Sequence, residues 1–283
     1  MPPRRSASGS ADPPIVLLTD FGYRDHYAGV MRGVIATIAP AARVIDLTHG
    51  IPPQSVVAGA IALTQSWRYF PPRTIFVGVV DPGVGTDRLS LAIETASGAR
   101  FIGPDNGLLT LAADEAGIKR AVELRDPCYR LASVSSTFHG RDIFAPAAAY
   151  LSSGVRLSSF GPPVGSVIRL DPTAGAEEVG ATLCGSVIYI DGFGNLITNL
   201  GYPRVNSFAA RFRGRRLLVR IRRGAPISIL KSYGDAAPGA PLATFGSFGL
   251  LELAIRDGSA AAHFAAAIGT RVSIKVVPQS SDG

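Results

Sequence analysis

The chain is predicted to be an α/β protein. Its N-terminal α/β domain has a largely parallel central sheet, and its C-terminal domain is antiparallel and β-barrel-like. Three observations predict this. Up to about residue 150, short β-branched apolar runs recur without polar alternation, as buried parallel strands require. Stretches with helical spacing separate those runs, which gives two successive βαβ units. Beyond a polar, Gly- and Pro-containing stretch at residues 171–180, the pattern changes to short strands between turns.

Taken in order, residues 1–14 (MPPRRSASGSADPP) carry two arginines with no apolar run behind them. They are neither a secretion signal nor a membrane anchor, and they read as a flexible tail. The expected domains are then 15–172 and 180–283. Residues 15–18 (IVLL), 43–47 (RVIDL) and 74–80 (TIFVGVV) read as strands. Residues 27–38 and 54–69 read as helices, the second on the spacing of Val57, Ile61, Gln65 and Trp67. Ligands of such sheets sit at the carboxyl ends of strands, where Asp20, Thr48-His49 and Asp81 all fall. Residues 101–108 (FIGPDNGL) make a strand-to-helix turn, and residues 137–142 precede a helix through 147–151. After the linker, residues 185–190, 217–221, 227–230, 242–245, 250–254 and 271–277 read as strands, and only 259–267 looks helical. That succession suits a small antiparallel barrel.

Composition narrows the function. At 283 residues, 47% hydrophobic and 17% charged, the chain buries a substantial core and is not disordered. No run approaches the roughly 20 apolar residues of a spanning helix, so a soluble, cytoplasmic protein without membrane partners is expected. Cys128 and Cys184 match no zinc spacing and no disulfide framework; they read as reduced thiols packed as small apolar groups. The net charge of +7 equals the seven arginines of residues 211–223, a segment without an acid. There Arg220 and Arg222 alternate with Val219 and Ile221, and Phe212 is the one aromatic residue. The segment therefore reads as the solvated face of a strand rather than a nucleic-acid surface.

Several segments carry polar residues suited to chemistry. In TDFGYRDHY (19–27), Asp20 leaves the sheet beside Gly22 and is placed to accept a ribose diol, although the local pattern favours Asp20 or Asp25 as a helix cap. In VVDPGVGTDR (79–88), the turn can bring Asp81 and Arg88 to one pocket, while a turn Asp and a surface Arg remain the plainer reading. Neither this turn nor residues 29–33 fit a dinucleotide fingerprint. His139, in TFHGRD (137–142), is an acid–base candidate at a loop-to-helix junction. IDGFGNLITN (190–199) adds an aromatic ring and an amide suited to an adenine.

These segments, with DLTH (46–49) and GPDNG (103–107), occur in an order and spacing that resemble the S-adenosylmethionine hydroxide adenosyltransferase family, relatives of the fluorinating and chlorinating S-adenosylmethionine enzymes. The resemblance runs from about residue 15 to 277. It implies hydrolysis of S-adenosyl-L-methionine to adenosine and L-methionine, by attack of an activated water on the ribose C5′. It implies that Asp81, Arg88 and His139 govern that water, with His139 accepting the proton and Asp81 orienting. Asp20 would bind the ribose, Phe193 and Asn195 the adenine, and Asp25 and Ser247 the methionine end. No metal or other cofactor is implied. Phe248 stands where the halogenating relatives carry an arginine after that serine, and Gly140 follows TFH where the fluorinating ones carry a serine, which favours hydroxide over halide. The family fold is an α/β domain followed by a β barrel, assembled as a homotrimer with each active site at a subunit interface. The rival readings are a metal-dependent hydrolase using Asp20, His49, Asp81 and His139, a halide-using transferase of the same fold, and a non-catalytic binding module.

Overall fold

The computed structural model describes residues 13–212 and 215–278. Nearly all of the expected tail, and residues 213–214 of the arginine-rich segment, lie outside them. The chain forms two compact units, one ending at Leu170 and the other starting at Asp171. Among the described residues, no helix is long and apolar enough to cross a membrane.

The first unit contains β1 (Ile15–Thr19), α1 (Tyr27–Ile38), β2 (Val44–Thr48), α2 (Val56–Ser66), β3 (Ile75–Val79), β4 (Ser90–Thr95), β5 (Arg100–Pro104), α3 (Thr110–Glu115), β6 (Ile118–Glu123) and α4 (Ala145–Ser152). Its six strands run in the order β2-β1-β3-β5-β4-β6. The first four are parallel, and β4 is antiparallel to both β5 and β6. The sheet is thus mixed, with the parallel part as expected and an antiparallel pair added at one edge. Every residue of β1 and β3 is buried, which is why neither strand alternates with polar residues.

Helices cover both faces of the sheet. Ile15, Leu17, Ile75 and Val77 share a core with Met31, Ile35 and the alanines of α4. Met31 and Ile35 lie one turn apart on the buried stripe of α1. On the other face, α2 approaches so closely that a Cβ on Gly59 would lie 2.7 Å from Leu108 and 3.5 Å from Leu18. The Ser55 hydroxyl caps α2 by accepting the Ala58 N–H at 3.4 Å. This helix is shorter than the expected 54–69, because residues 67–69 tighten into a 3-10 turn.

The second unit contains β7 (Glu177–Val179), β8 (Thr182–Ile190), β9 (Leu196–Gly201), α5 (Tyr202–Ala210), β10 (Arg215–Ile221), β11 (Ile227–Ser228), β12 (Pro241–Phe245), β13 (Leu250–Ile255), α6 (Ala260–His263) and β14 (Arg271–Pro278). The strands run β11-β10-β14-β8-β9-β13-β12, with β7 on β8. An isolated bridge between Ile229 and Ala243 brings the two ends of this path together, so the antiparallel sheet nearly closes on its own core.

Three local expectations are corrected. The stretch 171–180 is not wholly a linker, since β7 pairs with β8. The helix at 259–267 shrinks to the four residues of α6, which Ser259 caps. An unforeseen helix, α5, starts with Pro203 in its first turn, where the missing N–H costs nothing. The thiols also differ from expectation. Both are free, but Cys128 is exposed, and Asp126, through a hydrogen bond and its charge, pushes that thiol up.

Candidate active site

The register of the parallel strands sets the first half of the site. Thr19 of β1 lies opposite Val79 of β3, so at the carboxyl edge Asp20 comes level with Val80 and Asp81 follows one residue on. The GPDNG segment braces this edge. Asn106 Nδ2 donates to the Val80 carbonyl at 2.8 Å, next to Asp81, and Asp105 accepts the Ile168 N–H at 2.8 Å. Burial pushes the Asp105 carboxyl above the ordinary carboxylate range.

The turn after Asp81 folds back on itself. Gly85 has φ +80°, and a Cβ there would run into the Ser136 carbonyl oxygen. Only glycine allows so close an approach, and it brings the turn against the loop that carries His139. That loop is anchored from below by Asp142. Its carboxylate is fully buried and accepts the Ser135 N–H at 2.8 Å and Arg141 Nε at 2.5 Å. The aspartate of TFHGRD is therefore a structural anchor.

Arg88 is the hub of the cluster. Its Nε donates to Asp81 Oδ1 at 3.0 Å and its Nη2 to Asp81 Oδ2 at 2.5 Å, a bidentate fork. The same Nη2 stands 2.6 Å from His139 Nδ1. Nη1 donates to Ser90 Oγ at 2.7 Å, and the guanidinium lies 5.5 Å from the centre of the Phe144 ring. The Arg88 and Asp81 side chains are only 9% and 6% exposed. A guanidinium always donates, so His139 Nδ1 accepts, and the neutral ring carries its proton on Nε2. Burial first, and the Arg88 charge second, push the His139 imidazole below its ordinary range.

A cavity of about 390 Å³ opens on this cluster, lined by Asp20, Gln54, Asp81, Phe138 and His139 among others. Asp20 does not cap α1, nor does Asp25: His26 is the N-cap of the helix, and no side chain makes a cap hydrogen bond there. Instead Asp20 Oδ2 accepts the Gln54 N–H at 2.7 Å, and Gln54 holds a left-handed φ of +63°, uncommon for a side-chain-bearing residue. The fully buried His49 supports the base of this loop. Its Nδ1 is 2.8 Å from Thr19 Oγ1, and its carbonyl accepts the Gly22 N–H at 2.7 Å. His49 Nε2 is 3.3 Å from Asp46 Oδ1, without the alignment of a hydrogen bond.

In the second unit, a cavity of about 570 Å³ is lined by Asp191, Phe193, Asn195, Tyr233 and Arg256 among others. Phe193 is 82% exposed and Asn195 is buried. Asp191 shapes the turn between them: Oδ1 accepts the Phe193 and Asn195 N–H groups, each at 2.9 Å, and Oδ2 accepts Asn195 Nδ2 at 2.9 Å. Asp25 and Ser247, both exposed, line neither cavity. Among the described residues, no group of three or more His, Cys, Asp and Glu is arranged to hold a metal.

Sequence reasoning missed Gln54, Asp191, Tyr233 and Glu252. Glu252 is a 7% exposed carboxyl on β13 that accepts the Tyr233 hydroxyl; burial pushes both groups up. Only Asp191 carried a readable signal, as an acid two residues before an exposed ring in a Gly-rich turn.

The fold and this cluster define a two-unit α/β-and-barrel protein with an Asp–Arg–His site at the carboxyl ends of parallel strands. Residues 15–161 match the SAM hydroxide adenosyltransferase N-terminal domain and residues 185–273 the SAM hydroxide adenosyltransferase C-terminal domain. The chain belongs to that family. It is 40% identical to the (R)-S-adenosyl-L-methionine hydrolase of Thermus thermophilus, over 87% of this chain and 93% of that one. It is 27% identical to a fluorinase of Actinoplanes sp., over 87% and 91%. A solved structure of an uncharacterized conserved protein from Thermotoga maritima aligns with a TM-score of 0.80 at 35% identity, covering 92% of this chain and 99% of that one.

Proposed function

We propose that this protein is an S-adenosyl-L-methionine hydrolase, forming adenosine and L-methionine. The observation that carries the reading is Arg88, bonded to both Asp81 and His139 beside a cavity that also presents Asp20. Family membership and the name of the Thermus relative support the substrate.

Water attacks C5′ in line with the C5′–S bond. That bond breaks with its electron pair moving to sulfur, so methionine leaves as a neutral thioether and needs no acid. The demand falls on the nucleophile. The buried Arg88 guanidinium stabilises negative charge developing on the oxygen, in surroundings where such a charge effect is large. We assign His139 as a hydrogen-bond donor through Nε2 and Asp81 as the proton acceptor. This reverses the roles expected from sequence, because Arg88 already occupies Nδ1. The proton lost by water passes through Asp81 to solvent. Asp20 is the proposed ribose ligand, Phe193 and Asn195 the adenine ligands, and Asp25 and Ser247 the ligands of the methionine end. No cofactor takes part. A halide-using transferase is disfavoured by Gly140, where a Cβ would lie 3.2 Å from Met31 Sδ and 3.4 Å from the Phe138 ring.

Incubation with S-adenosyl-L-methionine in oxygen-18 water, with a chelator present, tests the reaction. Adenosine carrying the heavy oxygen is the expected product. Intact substrate with binding retained would reduce the protein to a binding module, and a 5′-halogenated nucleoside on adding chloride or fluoride would replace hydrolysis.

The proposal extends to a cytoplasmic homotrimer with active sites at subunit interfaces and no nucleic-acid or membrane partner. Active enzyme is then expected to sediment as a trimer. Full activity in a monomer would overturn the assembly and leave the chemistry in place.

A further inference from the structure

The arginine-rich strand turns arginines outward from the barrel core, as expected. Residues paired across antiparallel strands share a face. Val219 and Ile221 are buried in the barrel core, so Arg220 and Arg222 point outward. The register then places Arg220 in a row with Ser273, Cys184 and Glu177. Arg271 faces Ser186 on its other side, and the Arg222 N–H donates to the Arg271 carbonyl at 3.3 Å. Arg222 and Arg271 are thus cross-strand neighbours of like charge, which is destabilising when nothing lies between them. Arg222 is held there in a left-handed conformation, φ +51°, with its Nη2 donating to the Ala265 carbonyl at 2.8 Å.

These residues line a groove of about 440 Å³. Glu177 is the one acid in its lining, and the described residues provide no ion-pair partner for Arg220, Arg222 or Arg271. We propose that this groove is a binding site for a small polyphosphate. Guanidinium forks match phosphate oxygens two at a time, and the Ser186 and Ser273 hydroxyls add donors. No aromatic side chain lines the groove, so it lacks the stacking platform of a nucleic-acid surface. Adenosine is uncharged and methionine a zwitterion at neutral pH, so the site answers to a ligand outside the proposed reaction.

Calorimetric titration of the full chain with sodium tripolyphosphate, and separately with ATP, tests this at physiological ionic strength. Saturable binding weakened by salt is expected. Joint replacement Arg220→Gln, Arg222→Gln and Arg271→Gln is expected to reduce affinity by about a hundredfold or more, given the strength of charged hydrogen bonds. Turnover of S-adenosyl-L-methionine by that variant would show that it is folded. Tighter binding of ATP would identify a nucleotide, and equal binding the phosphate chain alone; either supports the site. No binding, binding unchanged in the triple variant, or displacement of tripolyphosphate by a single-stranded oligonucleotide at equal phosphate concentration would overturn it.

Discussion

Arg88→Ala is expected to lower kcat by about 100- to 1,000-fold, comparable to the cost of losing one preorganised electrostatic group beside a developing negative charge. Binding should change less, because ribose, adenine and methionine are assigned to other residues. The substitution also strands Asp81, whose side chain is only 6% exposed. An unpaired buried carboxylate costs about 3 kcal/mol or more, so a lower melting temperature should accompany the kinetic loss. Arg88→Lys separates the two effects. Lysine restores the charge but not the fork that reaches Asp81, His139 and Ser90 together. It should recover much of the stability and little of the rate. Steady-state kinetics beside thermal melts decide the matter; an Arg88→Ala enzyme with wild-type kcat would remove Arg88 from the chemistry.

His139 gives the second large effect, and it discriminates between roles. As a donor held by Arg88, the imidazole should be replaceable by a neutral amide, which also offers one acceptor and one donor. His139→Gln is then expected to keep activity within about tenfold of the natural enzyme, whereas His139→Ala loses about 100- to 1,000-fold. A proton-accepting His139 predicts equal losses in both. The pH profile supplies an independent readout. Burial and Arg88 depress the folded pKa, so the active neutral ring persists below the ordinary imidazole value of about 6.5. Activity should hold as pH falls through that value and disappear only lower, as Nδ1 is protonated and its bond to Arg88 broken. The stability from keeping this ring neutral is likewise complete above the unfolded pKa and lost as pH falls through the folded one. His139→Gln should flatten that acid limb.

Legibility in the sequence followed the range of the interactions. β1 and β3 could be read because complete burial leaves an unbroken apolar run, and Asp20 and Asp81 could be placed because strand ends are local. The antiparallel edge was not readable. β6 (IKRAVE) exposes Lys119 and Arg120 and resembles a surface helix as much as a strand. α5 was hidden because its apolar face amounts to Val205 and Phe208. In the site, the spacing allows Asp81 and Arg88 one pocket without favouring it, and the contact of Arg88 with His139 spans 51 positions, so family resemblance alone implies it. The Tyr233–Glu252 contact and the Gln54 N–H on Asp20 had no such help, since backbone donors and single hydroxyls leave no periodic trace.

The residues just after His139, Gly140–Phe144, form one wide π-helical turn that runs directly into α4. Such a turn holds one residue more than the α-helical path it interrupts. Removing any one of the five would leave an acceptable regular helix. It would also swing everything upstream by about 100° around the helix axis, and His139 with it. The segment therefore behaves as a counted spacer. Outside Gly140 and the anchoring Asp142, substitutions that fit its packing can accumulate there, whereas a deletion of one residue erases the site while leaving the helix better formed than before.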